Sequence, residues 1–384
     1  NYNPEATEDD GSCIYAEEFY DCDGNCLSDT DGDLVCDELE VAGCTDEEAN
    51  NYNPDATEDD GSCIYNQTMS LYDGQNLKSF YVLPDDNALD VVLSDVCINV
   101  SQVIGAGTAA INQGFGTENC DWVGSLNSIS RTSGYWIKSL GYQSFEILGD
   151  ITDPETIYTL QDGANLISFP YQAEVGISTA IPDTVELYFT GIIGEGVASQ
   201  QNSPFNWVGS LFSFAGGDGY WAIIDTPDDS DISFSFSNGE VVRIAEEEET
   251  IELPDYFIAE QSTKQAFYFV ETIEIDNKPL DEGDVLLAYH KDELVGSRVY
   301  NGAYTDIPVM GRDESLELVN YIEEGIVPTF KVYKIKTDEL VELHGDIPEF
   351  ENNQIFMLDY LSGTLIEIPE VYSLAPAYPN PFNP

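Results

Sequence analysis

The apolar residues of this chain fall in short runs, with few stretches long enough for a helix. Residues 76–83 and 134–138 read as strands, and 88–96 as one short helix. In the last third, apolar and polar residues alternate over 267–275, 285–289, 294–299 and 329–335. Turn residues separate these runs at Asp276-Asn277, Asp281 to Gly283, Asn301-Gly302 and Glu324-Gly325. Strand-length alternation broken by turns is the pattern of a β-sandwich. With 31 Gly, 23 Tyr and 18 Phe, the composition agrees with β structure rich in turns.

Two internal repeats divide the chain. Residues 1–15 (NYNPEATEDDGSCIY) recur as 51–65 with one change, Glu5 against Asp55. The chain therefore opens inside a repeat, and further copies are expected upstream in a precursor. A second, more diverged duplication matches LYDGQNLKSF (71–80) to LQDGANLISF (160–169), WVGSL (122–126) to WVGSL (207–211), and GYW (134–136) to GYW (219–221). All four Trp lie at equivalent points of these two copies. The expected division is 1–66 as Asp/Cys-rich repeats, 67–150 and 151–238 as two copies of a β module, 239–368 as a β-sandwich, and 369–384 as an extended tail. An acidic linker is expected over 237–250. The fold class that follows is mostly β. It is a multi-domain string of small β-sandwich or barrel-like modules behind a disulfide-rich, calcium-binding irregular segment.

Charge narrows the function. The 384 residues hold 73 Asp and Glu against 12 Lys and Arg, a net charge of −61. Nucleic-acid binding is excluded, because phosphate contacts need clustered cations. Docking on an anionic membrane surface meets the same objection. No run of about 18 apolar residues is present to span a bilayer. Six of the eight Cys fall in the first 63 residues, where the spacing of Cys22, Cys26, Cys36 and Cys44 has no paired CxxC and no His accompanies it. That density favours disulfides in an extracellular setting over a zinc site. Cys44 and Cys63 bracket the second acidic repeat and are expected to pair. Cys97 and Cys120 occur only in the first β module and can pair there. The pairing among Cys13, Cys22, Cys26 and Cys36 is open.

Residues 1–65 contain 21 Asp and Glu and no Lys or Arg. Folding such a segment crowds like charges, so a cation is expected to bind. Carboxylates, carbonyls and amides are hard oxygen ligands that suit Ca²⁺. Asp29, Asp31, Asp33, Val35 through its carbonyl, Asp37 and Glu40 stand at positions 1, 3, 5, 7, 9 and 12 of an EF-hand-type loop. The departure is Leu34, where such loops carry Gly; Gly32 offers a different turn. A second comb, Asp21, Asp23 and Asn25, reaches Asp29, which then bridges two ions. Over residues 17–44 this resembles thrombospondin type 3-like Asp/Cys calcium repeats, whose loops wrap ions around almost no hydrophobic core. The flanking NYNPxATEDDGSC motif is similar to repeats of large secreted proteins of marine bacteria. In it Asp55, Asp59 and Asp60, with Asp9 and Asp10 in the first copy, are further candidate ligands.

The terminal AYPNPFNP (377–384) resembles the opening of a type IX secretion sorting domain, which implies export to the surface of a Gram-negative cell. The β modules are similar to those found before such domains. No nucleophile, zinc-protease, P-loop or dinucleotide signature is present. His290 and His344 stand without Ser or Cys partners in sequence. The expectation is a non-enzymatic extracellular structural or adhesive protein, the subunit of a fibre or sheath. Its self-association would run through 365–373, added as a strand to a neighbour's sheet edge. The alternative is a carbohydrate-binding accessory protein, with a hydrolase as the third reading. The paired Trp are read first as module core. Because Tyr135 and Trp136 are adjacent on a strand, one ring faces outward, making Trp136 and Trp221 the candidate glycan-binding residues.

Overall fold

The computed structural model describes residues 4–5, 7–8, 11, 16–21, 23–30, 32–117, 119–239, 253–313 and 318–365. Ahead of the β modules, β1 (Ala42–Gly43) and β2 (Glu58–Asp59) form a small parallel pair. The first module then runs through β3 (Tyr65–Leu71), β4 (Gly74–Ser79), β5 (Val82–Leu83), helix α1 (Leu89–Val92), β6 (Val100–Gly105), β7 (Thr108–Asn112), β8 (Trp122–Gly124), β9 (Gly134–Ser139) and β10 (Gln143–Ile151). One antiparallel sheet has the order β4-β9-β6-β7-β8, and β3, β10 and β5 form a second. Leu71, Phe80, Leu93, Val103, Tyr135 and Ile137 are buried together in its core.

Two local expectations change here. The strand expected over 76–83 breaks at Phe80 and Tyr81, because β4 and β5 belong to different sheets and the chain crosses between them. The helix expected over 88–96 is only α1. Val91 and Val92 are stiff β-branched residues, and no side chain caps the N-terminus. Leu93 and Val96 still reach the core, from turns.

The second module repeats this plan with β11 (Tyr158–Leu160), β12 (Gly163–Ile167), β13 (Val175–Gly176), α2 (Ile177–Ala180), α3 (Asp183–Glu186), β14 (Phe189–Ile193), β15 (Ala198–Ser203), β16 (Asn206–Gly209), β17 (Ser213–Phe214), β18 (Tyr220–Ile224) and β19 (Ile232–Phe234). Its main sheet, β12-β18-β14-β15-β16, follows the same path as the first. Its core is more aromatic, with Tyr158, Phe169, Phe189, Phe214, Tyr220, Phe234 and Phe236.

The copies diverge at one buried position. Asn112 Nδ2 donates to the Cys97 carbonyl at 2.7 Å, and Gln201 Nε2 donates to the Glu186 carbonyl at 3.2 Å, so Cys97 and Glu186 are equivalent. In the first module Cys97 is disulfide-bonded to Cys120. In the second, wholly buried Glu186 accepts from Trp207 Nε1 at 2.8 Å and from Ser178 Oγ at 2.7 Å. The equivalent Trp122 Nε1 has no hydrogen-bond partner among the described residues. A covalent pin and a buried polar pin thus hold the same corner.

The two modules meet through equivalent surfaces, like a two-fold dimer within one chain. Lys78 bridges to Asp218, and its counterpart Ile167 bridges to Ser133. Ser79 N–H donates to the Gly217 carbonyl at 2.8 Å, and Ser168 N–H to the Thr132 carbonyl at 3.3 Å. The registers pair Leu77 with Trp136 and Leu166 with Trp221, and these two Leu–Trp pairs join in one apolar cluster. Gly134 and Gly219 sit where the chains come closest. A Cβ on Gly134 would lie 2.8 Å from the Ile167 carbonyl, and one on Gly219 3.0 Å from that of Lys78.

The third module contains β20 (Gln265–Ile275), β21 (Lys278–Pro279), β22 (Val285–His290), β23 (Glu293–Val299), β24 (Thr305–Met310), β25 (Thr329–Lys334), β26 (Glu339–Leu343) and β27 (Ile355–Gly363). One sheet centres on β20, which pairs β24 antiparallel and β27 in parallel; the other has the order β23-β22-β25-β26. Tyr268, Val270, Leu286, Val295, Ile307 and Phe330 lie in the sandwich core. The first half of β20 is buried on both faces. Ala266, Tyr268 and Val270 face the sandwich, while Phe267 and Phe269 join Ile193, Ala198, Trp221 and Ile223 of the second module. A Cβ on Gly209 would lie 2.5 Å from the Phe269 ring, so the second module receives that ring against bare backbone. Arg298 Nη2 donates to the Gly196 carbonyl and to Asp306 Oδ2, both at 2.7 Å, and Gln265 Nε2 donates to the Gly194 carbonyl at 3.0 Å.

The molecule is therefore mostly β, with several separate sheets and only three four-residue α-helices among the described residues. Residues 240–252, which include most of the linker expected over 237–250, and the tail from 366 lie outside those residues. Trp136→Ala empties the first joint and should cost about 3–5 kcal/mol. Calorimetry should then show the first two modules melting apart at a lowered midpoint, whereas an unchanged thermogram would contradict the joint.

Candidate metal-binding segment and aromatic positions

Residues 19–21 and 23–27 form a tight hairpin, in which Tyr20 bridges Cys26 and Leu27 N–H donates to the Phe19 carbonyl at 2.8 Å. Its turn carries the comb of Asp21, Asp23 and Asn25. Asp21 Oδ1 accepts from the Asp23 and Asn25 N–H groups at 2.8 and 2.9 Å, and its Oδ2 from Asn25 Nδ2 at 3.0 Å. Short acidic side chains commonly close turns on their own backbone in this way. These bonds, that to the Asn25 side chain first, hold the Asp21 carboxyl below the usual carboxylate range.

The comb from Asp29 to Glu40 begins within the loop closed by the Cys26–Cys36 disulfide and runs past it to Asp37 and Glu40. Asp29 Oδ1 accepts from Gly32 N–H at 2.7 Å and its Oδ2 from Leu34 N–H at 3.3 Å. Asp33 Oδ1 accepts from Val35 N–H at 2.8 Å. Asp37 accepts from Ser28 Oγ at 2.6 Å, Thr30 Oγ1 at 2.8 Å and Thr30 N–H at 2.7 Å, and these bonds depress its pKa. Gly32 has φ +82° and Leu34 φ +77°. Leu34, the departure from the EF-hand pattern, thus adopts the left-handed backbone that Gly would favour at that position. Glu40 is half-buried, and Asp31 lies outside the described residues.

The acidic repeat at 44–65 is the better packed of the two ends. Cys44–Cys63 closes it, and both Cys pack with Ala49 and Tyr65, the first residue of β3. Asn51 ties the loop by accepting from Ile64 N–H at 2.7 Å and donating to the Ser62 carbonyl at 2.5 Å. Tyr65 Oη donates to Asp46 Oδ2 at 2.6 Å, which depresses the Asp46 carboxyl; burial, with Asp46 beside it, pushes the Tyr65 hydroxyl up to about 12. Asp46 stands outside the alternating combs, so its spacing gives no signal in the sequence. Asp55 N–H is bound by Asn53 Oδ1 at 3.1 Å, Asp59 Oδ1 accepts from Gly61 N–H at 3.1 Å, and Asp60 Oδ1 from Ser62 N–H at 3.0 Å. Asp9, Asp10, Cys13 and Cys22 lie outside the described residues.

The donor chemistry of both loops is oxygen throughout, as Ca²⁺ requires. Among the described residues, however, no three His, Cys, Asp or Glu side chains gather around one point. Asp21, Asp29, Asp33 and Asp37 turn instead to amides and hydroxyls of their own loops. The third disulfide, Cys97–Cys120, lies in the first β module. Three disulfides point to an oxidising, extracellular environment. Among the described residues no helix is long and apolar enough to cross a membrane.

Tyr135 and Trp136 do face opposite ways, as adjacent strand residues must. Tyr135 enters the core of the first module. Trp136 is only 2% exposed, because its outward face meets the second module. It has no open ring face for a sugar. Trp221 is partly buried and shared by both joints, so the glycan-platform reading of this pair gives way to a structural one. Trp122 and Trp207 pack partly buried against their module cores. His290 is half-buried, which lowers its pKa, and His344 is exposed. A cleft between the second and third modules is bordered by Phe212, Tyr300 and Tyr304. Of the charged groups that line it, Arg298 and Asp306 bind each other, and Glu282 stands beside them; burial pushes the Asp306 carboxyl up against the pull of Arg298. No family model, characterised protein or solved structure matches the chain.

The depressed carboxylates fix the sign of an acid response. A group whose pKa falls on folding contributes stability above its unfolded value, near 4, and loses it as pH drops through the lower folded value. Asp21, Asp37, Asp46 and Asp60 all follow this rule. Amide exchange over 19–37 and 44–63 should therefore accelerate between about pH 4 and about pH 2 relative to the β modules. Uniform protection down to the lowest pH would contradict it.

Proposed function

We propose that this chain is a non-enzymatic structural and adhesive protein of the bacterial cell surface, built as the subunit of a fibre or sheath. The observation that carries this reading is mechanical continuity. The disulfide-closed acidic repeat runs directly into β3, and two buried joints link the three β modules. Load applied at one end passes through apolar contacts and paired backbone. The AYPNPFNP resemblance supplies the surface location, and those residues lie outside the described ones.

Calcium belongs to the same proposal. Asp29, Asp31, Asp33, Asp37 and Glu40, with the Val35 carbonyl, would hold one ion, and Asp21, Asp23 and Asn25 would share Asp29 with a second. Asp55, Asp59 and Asp60 would serve the following repeat, as Asp9 and Asp10 would the preceding one. Bound Ca²⁺ supplies positive charge to a segment that has none of its own. The supporting observations are the left-handed backbone at Leu34, the disulfide-closed loop and the all-oxygen donor set. Uptake requires Asp29 and Asp37 to exchange amide and hydroxyl partners for the ion. Chelation should speed protease cleavage within 16–64 and leave the β modules intact, and identical cleavage with and without chelator would count against calcium.

Self-association would use the segment from Leu365 to Ser373 as an added strand. Leu365 packs against the sandwich core, and the remainder lies outside the described residues. Electron microscopy of the purified full chain in calcium should show filaments of regular width, lost when residues 366–384 are deleted. Monodisperse particles under all conditions would refute the polymer.

A further inference from the structure

We propose that Tyr72 and Tyr142 form a platform for the apolar face of a neutral sugar ring in a polysaccharide. Tyr72 lies in the turn between β3 and β4, and Tyr142 in the loop between β9 and β10. Their ring centroids are 5.6 Å apart with planes inclined by 57°. The residues are 62% and 60% exposed, on a molecule whose other paired rings are mostly core. Exposed aromatics grouped in this way mark contact surfaces more often than scattered ones do. Leu140 stands equally exposed beside them.

The backbone beneath the pair is fixed. Tyr72 N–H donates to Asn76 Oδ1 at 2.7 Å, and Asn76 Nδ2 returns to the Tyr72 carbonyl at 2.9 Å. Asp73 Oδ1 accepts from Gly141 N–H at 2.6 Å, which ties the two turns together. Leu140 N–H donates to the Asn99 carbonyl at 2.8 Å, and Tyr142 Oη lies 3.2 Å from Ser70 Oγ. Tyrosine on a fixed turn presents a large amphipathic surface with little entropy left to lose on binding.

The duplication provides an internal comparison. The second module keeps the same lock, with Gln161 N–H on Asn165 Oδ1 and Thr226 N–H on Asp162 Oδ1, both at 2.9 Å. Yet Gln161 replaces Tyr72, and the loop 225–231 contains no aromatic residue. The fold therefore does not need the rings. Charge selects the ligand: at −61 the chain repels nucleic acids and acidic glycans, whereas a neutral sugar brings no charge to repel. A pyranose offers its C–H face to the two rings, a contact that the ring faces rather than the phenol hydroxyls provide.

The site rests on the adhesive half of the function proposed above. The filament assay given there uses no glycan, so either can fail without the other. The test is affinity electrophoresis of the calcium-loaded full chain through gels containing soluble cellulose derivatives, chitosan-free glycol chitin, β-1,3-glucan or α-1,4-glucan. At least one gel should retard the wild type. Tyr72→Ala with Tyr142→Ala should weaken retardation at least about tenfold, while Tyr72→Phe with Tyr142→Phe keeps it. Tyr72→Gln, which places in the first module the residue the second already carries, guards against a folding artefact and should also weaken it. Retardation unchanged in the alanine and glutamine variants, or no retardation of wild type by any glycan, overturns the proposal.

Discussion

Self-repulsion is the constraint around which this molecule is arranged. With 73 acidic and 12 basic residues, it cannot be held together by ion pairs spread across its surfaces. Two of the cations serve the joints: Lys78 meets Asp218 at the first, and Arg298 meets buried Asp306 beside the second. The remainder of each joint is mostly apolar side chain and paired backbone, with a few polar side chains such as Glu195, which accepts from Leu77 N–H, and Gln265, which donates to the Gly194 carbonyl. The acidic loops use another device, turning each carboxylate onto the amides and hydroxyls of its own turn. Those bonds stabilise single turns and leave the summed negative charge uncompensated.

Duplication explains how the joints arose from one set of residues. Each module contributes a Leu–Trp pair, a Gly and a serine N–H to a shared, nearly symmetric interface. The symmetry is then broken on the outer side. Trp221 touches the third module as well, and Gly209 opens to admit Phe269. Inside the modules, Cys97 and Glu186 solve one packing problem by different chemistry. Where the copies differ at exposed positions, as at Tyr72 and Gln161, no requirement of the fold accounts for the difference.

Much of the fold was legible because periodicity reports which face of a strand is buried. The repeated motifs defined two like modules, and the structure gives their main sheets the same strand order. Sequence failed where burial came from another module. Trp136 reads as an outward ring on one strand, and only the neighbouring sheet covers it. Phe267 and Phe269 likewise face away from their own sandwich core into the second module. At the acidic end, sequence position predicted the Cys44–Cys63 pair. It gave no sign that Ser28 and Thr30 would occupy Asp37, or that Tyr65 would occupy Asp46, because those contacts depend on how the loops close.

The claim that apolar joints hold the modules against their own charge is tested most directly by inter-module distance as a function of salt. Spin labels on exposed positions of the first and third modules, read by pulsed electron resonance, would report it from about 10 mM to about 1 M salt, a range over which the screening length falls from about 30 Å to about 3 Å. One narrow distance, unchanged across that range, is the predicted result. A distribution that broadens and lengthens at low salt would mean that repulsion separates the modules, and would contradict the account.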